Sequence, residues 1–170
     1  MKNVFIVLTL VCTSILGYSQ EIFDAARNNN VAFVEKYIAD GGDVNVANTR
    51  GFTPLVLAVY NDNYEVAHLL LEKGANPNAQ DVNGNTALMG ATFKALPRMS
   101  ALLIANRADV NQKNFNNASA LIFAATFGQK EIAKQLLDKN ADKTIKDNTG
   151  KTALDHAVFQ ENIELINLLK

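Results

Sequence analysis

Apolar positions recur along this chain every 33 residues. Phe33, Val66, Met99, Ile132 and Leu165 form one column, and Tyr37, Leu70, Leu103, Leu136 and Leu169 another. Within each unit the two columns stand four apart, so they share one helical face. A shorter element precedes each such helix. It carries Ala58, Ala91, Ala124 and Ala157 in register, and a small residue there lets neighbouring helices approach closely. A fixed period of this length predicts stacked supersecondary units in place of a single globular core.

The polar positions between these stripes are punctuation. Asn48-Thr49-Arg50-Gly51, Asp81-Val82-Asn83-Gly84, Asn114-Phe115-Asn116-Asn117 and Asp147-Asn148-Thr149-Gly150 each open with a residue that bonds local backbone. Each closes with one that tolerates positive φ, so each predicts a turn. Thr53, Thr86, Ser119 and Thr152 follow two residues later, where a hydroxyl caps the next helix. Pro54 sits just inside that cap, where its missing N–H costs nothing. The second helices are predicted to stop at Gly41, Gly74, Arg107 and Asn140. Gly and Asn suit a left-handed stop, and Arg107 predicts a strained one. The linkers then read Asp43-Val44-Asn45, Asn76-Pro77-Asn78 and Asp109-Val110-Asn111.

Gly51 to Ala79 resembles the ankyrin repeat, whose pattern is G-x-T-P-L-H-x-A-A, a second helix, then G-A-D-V-N-A. The resemblance runs from about Glu21 to Lys170. It implies an all-α fold, an ankyrin-repeat α-solenoid of stacked helix pairs with projecting β-hairpin loops, with about five repeats including truncated caps. Val56, Met89, Ile122 and Asp155 replace the family's His after T-P-L, which predicts looser joints between repeats. Ala95-Leu96-Pro97 and Asp142-Lys143-Thr144 also depart from the pattern.

The domain organisation predicted on this basis is a signal peptide at 1–19, a capping repeat at 20–50, repeats at 51–83, 84–116 and 117–149, and a capping repeat at 150–170. At the N-terminal end Ile22 and Ala25 enter the Leu55 and Ala58 columns, and Lys36 is expected in water. At the other end Glu161, Glu164, Asn167 and Lys170 predict a polar outer face, as on terminal repeats that avoid end-to-end stacking. A complete module is expected.

The first twenty residues have another character. Lys2 is followed by an apolar run from Val4 to Leu16 and by Gly17-Tyr18-Ser19. This predicts a secretory signal peptide cut after Ser19, and a periplasmic or secreted protein. The run is short for a membrane span, so no membrane association is expected after cleavage. An uncleaved anchor is the alternative. Cleavage would remove Cys12, the only cysteine, and with it any disulfide.

Composition changes the picture only by exclusion. The chain has 170 residues, 48% hydrophobic and 19% charged, which excludes a disordered or collagen-like protein. The formal charge is −1, and losing Lys2 makes it −2. No basic excess is present to neutralise phosphates, so no nucleic-acid partner is expected. His68 and His156 stand about three repeats apart and predict two unrelated surface histidines. No Gly-rich phosphate loop or His-Glu-x-x-His run occurs. The turn roles of Asp81 and Asp147 already account for them. No enzyme activity, metal or cofactor is therefore expected.

The resemblance implies that turn tips and first helices form a concave surface where contacts concentrate. One column there reads Arg27, Tyr60, Phe93, Thr126 and Phe159, with Phe127 beside the Thr126 gap. Packing between first helices accounts for such aromatics as well as contact does. The tips supply Arg50, Phe52, Val82, Phe115 and Lys151. Aromatic and Arg side chains are favoured interface anchors. The candidate partner-binding residues are thus Arg50, Phe52, Tyr60, Val82, Phe93, Phe115, Phe127, Lys151 and Phe159. The expected function is binding of another protein by a monomer, with a small-ligand protein or enzyme using the groove, or a structural spacer, as alternatives.

Overall fold

A computed structural model of the protein describes residues 20–170. The expected signal peptide and its cut site lie outside the described residues. Among the described residues ten helices follow one another in pairs. Residues 20–27 form α1. The others are α2 (Val31–Ala39), α3 (Pro54–Tyr60), α4 (Tyr64–Glu72), α5 (Ala87–Phe93), α6 (Pro97–Ala105), α7 (Ala120–Thr126), α8 (Lys130–Leu137), α9 (Ala153–Phe159) and α10 (Ile163–Leu169). The shorter first helices α3, α5, α7 and α9 pack side by side in one row. Among the second helices α2 packs on α4, α6 on α8 and α8 on α10. This is the expected solenoid of helix pairs.

Local chemistry sets each first helix. Thr53, Thr86, Ser119 and Thr152 accept the N–H of Val56, Met89, Ile122 and Asp155 at 3.3–3.5 Å. Each hydroxyl thereby satisfies one orphan donor of the helix start. Among the second helices α2 and α10 are capped by Asn30 and Asn162, but α4, α6 and α8 differ, because Asn63, Leu96 and Gln129 make no side-chain cap. Asn63 instead donates to the carbonyls of Ala26 and Arg27, both at 2.8 Å, and ties α4 to the unit before it.

Both kinds of helix end in the same left-handed stop. Gly41, Gly74, Arg107 and Asn140 have φ of 84°, 87°, 68° and 61° after the second helices. Asn29, Asp62, Ala95, Gly128 and Glu161 have φ of 52–72° after the first. Paired backbone bonds of the Schellman type close these ends, as in Ala75 N–H to Leu70 and Gly74 N–H to Leu71. Arg107 makes the same closure with Ile104 and Ala108 with Leu103. The strain predicted at Arg107 is therefore real, and the atypical Ala95-Leu96-Pro97 turn keeps the common geometry.

The core runs between the rows. Leu55, Leu88 and Leu121 are enclosed on the first helices; Val66, Met99, Ile132 and Leu165 are enclosed on the second. Ala58, Ala91, Ala124 and Ala157 are wholly buried where first helices meet. Phe33 departs from its column and is half-buried, while Val34 takes the core position. Val56, Met89 and Ile122, in place of the family's His, are buried and join the units by apolar packing. A second joint is polar. Asn45, Asn78 and Asn111 accept the N–H of Asn76, Asp109 and Asp142, each at 2.7 Å. Thr144 holds the next place in this column and turns its hydroxyl back onto Asp142.

Two expectations are corrected. The loops were expected as β-hairpins, yet no strand occurs among the described residues. Each tip is a turn closed by two backbone bonds, such as Asp81 N–H to Asn85 and Gly84 N–H to Asp81, and is too short to extend a ladder. The outer face of the last unit is not wholly polar, because Val158 and Ile163 are exposed there beside Asp155 and Asn162.

Candidate functional site

The tips and first helices make one continuous face. Backbone bonds link tip to tip: Val82 N–H to Arg50, Phe115 N–H to Asn83 and Asn148 N–H to Asn116, at 2.9–3.0 Å. Side chains on successive tips therefore stand at fixed spacing. Phe115 N lies only 2.7 Å from where a Gly84 Cβ would sit, and its ring is as near. Gly84 has φ of 78°, so glycine is required there twice over.

The structure divides the nominated residues into two groups. Phe52 and Tyr60 belong to the interior side. Their rings lie 6.1 Å apart, half-buried and packed against the core. Tyr60 reaches over α5, where a Cβ on Gly90 would come within 3.0 Å of its ring. Burial, and next the charge of Asp81, push the Tyr60 hydroxyl pKa up, so it stays protonated. Phe52 thus departs from the free tip ring expected of it.

The other residues face outward. Val82 is 57% exposed and Phe115 67%. Phe93 and Phe127 are 49% and 44% exposed and meet edge to face at 5.0 Å. Phe127 thereby bridges the gap at Thr126, whose hydroxyl is turned onto the Ile122 carbonyl. Phe123, a residue the sequence reading missed, supports the pair from 5.9 Å. Its column holds Leu57 and Gly90, both buried, and the half-buried His156, so nothing in the sequence marked Phe123 as reaching the exposed pair. Phe159 is 74% exposed and has the Lys151 ammonium 5.0 Å from its ring centre, while Arg50 is exposed on its tip.

His156 also departs from expectation. His68 is exposed, against Glu72, but His156 Nε2 lies 2.7 Å from Asp147 Oδ2, with side chains 19% and 11% exposed. Asp147 Oδ1 meanwhile accepts from Thr149 N, Thr149 Oγ1 and Lys151 N. Burial alone would raise the Asp147 pKa, but the bonds from Thr149, His156 and Lys151 outweigh it and hold the carboxyl well below its ordinary range. The pair fastens the last tip to α9. Nothing in the spacing of nine residues announced it.

The chemistry available is that of a surface. Surface depressions are open: one is lined by Asp62, Glu65 and Arg98 between α4 and α6, and another by Glu21, Asp24 and Phe33 at the first unit. Among the described residues no three His, Cys, Asp or Glu side chains could together hold a metal. No described helix is long and apolar enough to cross a membrane.

Comparison with known proteins agrees with this architecture. The family model described as Ankyrin repeats (3 copies) matches residues 22–114 and 94–170. No curated protein matches the chain. Units matched over nearly the whole described length, with caps, stops and inter-repeat bonds in one register, place the chain in the ankyrin-repeat family.

Proposed function

We propose that this protein is an exported binding module that holds another protein against the face made by its tips and first helices. Ankyrin repeats generally mediate protein–protein interaction, and proteins built from them are typically non-enzymatic scaffolds. The observation that carries the reading is the Phe93–Phe127 pair, edge to face and nearly half exposed, with Phe115 and Val82 on the tips beside it. The fold does not require these rings in water. Covering each would contribute on the order of 1 kcal/mol. Export rests on the apolar run from Val4 to Leu16 and the small residues at Gly17 and Ser19. The mature protein then begins at Gln20, in the periplasm or outside the cell, and acts as a monomer.

The test is affinity capture from the host's envelope extract, with Phe93→Ser, Phe127→Ser, Phe159→Ser as the control bait. Tyr60 is left intact, because its half-buried ring supports the fold. A protein retained by the native bait and lost by the folded variant is the expected result. Equal retention by both baits would move the contact surface elsewhere. Mass spectrometry of the recovered protein reads the cut site, and an intact Met1 in that fraction would overturn export by cleavage.

A further inference from the structure

We propose that Asn83 is a modification site, where the side-chain amide converts spontaneously to aspartate and isoaspartate, and that the bonds between tips hold the reaction back. Asn83-Gly84 is the sole Asn-Gly pair in the chain. The same places on the other tips read Arg50-Gly51, Asn116-Asn117 and Thr149-Gly150. Glycine matters because it has no side chain to obstruct the approach of its nitrogen to the preceding carboxamide. Asn83 is exposed, and its carboxamide makes no hydrogen bond among the described residues. The step balances with no reagent but water. Gly84 N, having lost its proton to solvent, attacks Asn83 Cγ. The Cγ–Nδ2 bond breaks, ammonia leaves and a succinimide ring closes. Water then opens the ring at either carbonyl. One opening gives aspartate in the normal chain. The other runs the chain through Cβ and Cγ and gives isoaspartate.

The tip opposes the first step. Gly84 N–H donates to the Asp81 carbonyl at 2.9 Å, and the Asn83 carbonyl accepts from Phe115 N–H at 3.0 Å. Asn83 N–H is held by Asp81 Oδ1 at 2.8 Å, and the Gly84 carbonyl by Gln80 Nε2 at 2.6 Å. Turning Gly84 N onto Cγ rotates the peptide between the two residues. That rotation breaks the bonds to Asp81 and Phe115. Gly84 is also buried under Phe115, which leaves little room for it. The reaction therefore proceeds from conformations in which this joint has opened, and its rate follows their population. Isoaspartate then makes the opening permanent. The carbonyl that held Phe115 N–H becomes a free carboxylate outside the main chain, and the tip backbone gains a methylene. Val82 and Phe115, both exposed, lose their fixed spacing. The modification goes beyond the binding reading and stands without it.

The experiment is prolonged incubation, at neutral pH, of protein purified from the full-length chain. Mass spectrometry of the tryptic peptide 74–94 follows the change from amide to acid, and enzymatic methylation follows isoaspartate. Asn76, Asn78 and Asn85 in the same peptide are the references. In urea above the unfolding midpoint Asn83 should convert faster than these three. No excess at Asn83 would overturn the site. In the folded protein its rate should be lower by roughly tenfold or more. Equal folded and unfolded rates would overturn the protection. Phe115→Pro removes the N–H that holds the Asn83 carbonyl, at a turn position where proline is favoured. It should raise the rate at Asn83 in the folded chain. A folded proline variant with the native rate would overturn the bond between tips as the gate. Where that variant does not fold, urea below the midpoint of the native protein takes its place, and a rate indifferent to it would do the same.

Discussion

Ser100 is enclosed in α6, and its hydroxyl has no hydrogen-bond partner among the described residues. Thr92 is equally buried but turns its hydroxyl onto the Leu88 carbonyl at 2.8 Å. An unsatisfied buried hydroxyl costs about 1–3 kcal/mol. The same column holds Ala67 and Ala133, both wholly buried, so the stack accepts alanine there without a gap. Ser100→Ala should raise stability by roughly 1 kcal/mol, read as a higher urea midpoint at unchanged slope. A lower midpoint would mean that the hydroxyl has a partner. Arg107 is the complementary case. An L residue with φ of 68° occupies the stop that Gly41 and Gly74 occupy elsewhere. The exception was visible in the sequence because the other columns made it one. Ser100 was not, since hydrogen bonding inside a stack depends on which way a rotamer points.

At the scale of the element, the first helices were legible because their cap, turn and small-residue positions are all local. The second helices were legible from their apolar columns, but their caps were not. Asn63 stands at the N-cap place of α4, yet its side chain serves as an inter-unit tie to Ala26 and Arg27. The last tip shows what else spacing hides. Asp147 joins the turn role of Asn48, Asp81 and Asn114 to a contact with His156 across nine residues. Asp147→Asn keeps the turn acceptor but gives His156 a neutral partner. The cost at neutral pH should be about 1 kcal/mol. The folded carboxyl lies below its ordinary value. Its contribution is therefore complete above the unfolded value of about 3.9 and is lost as pH falls towards the folded one. The difference in urea midpoint between native and variant should hold from pH 7 to about 5 and shrink below about 4. A difference independent of pH would show that charge has no part in it.

For the whole molecule, period alone conveyed the architecture, because every joint repeats. Apolar packing at Val56, Met89 and Ile122 and the bonds of Asn45, Asn78 and Asn111 connect neighbours. The candidate site was legible only as a set of columns. Which rings face water depends on what lies across the joint: Tyr60 fits over Gly90, while Phe93 meets Phe127. Stability in such a stack is a sum of unit and nearest-neighbour terms. The pair α5–α6 has a unit on either side, whereas α9–α10 packs only on α7 and α8 among the described helices. Leu103 and Leu169 occupy one column at these two places, both buried. Leu103→Ala should cost about 2–5 kcal/mol and weaken protection through α5–α8 together, since both flanking joints lean on it. Leu169→Ala should lower protection chiefly in α9 and α10, because that unit opens against a single joint. Native-state hydrogen exchange resolves the two patterns. An equal loss in every helix from either substitution would show that the five pairs melt as one block, and that nearest-neighbour coupling exceeds the stability of any single pair.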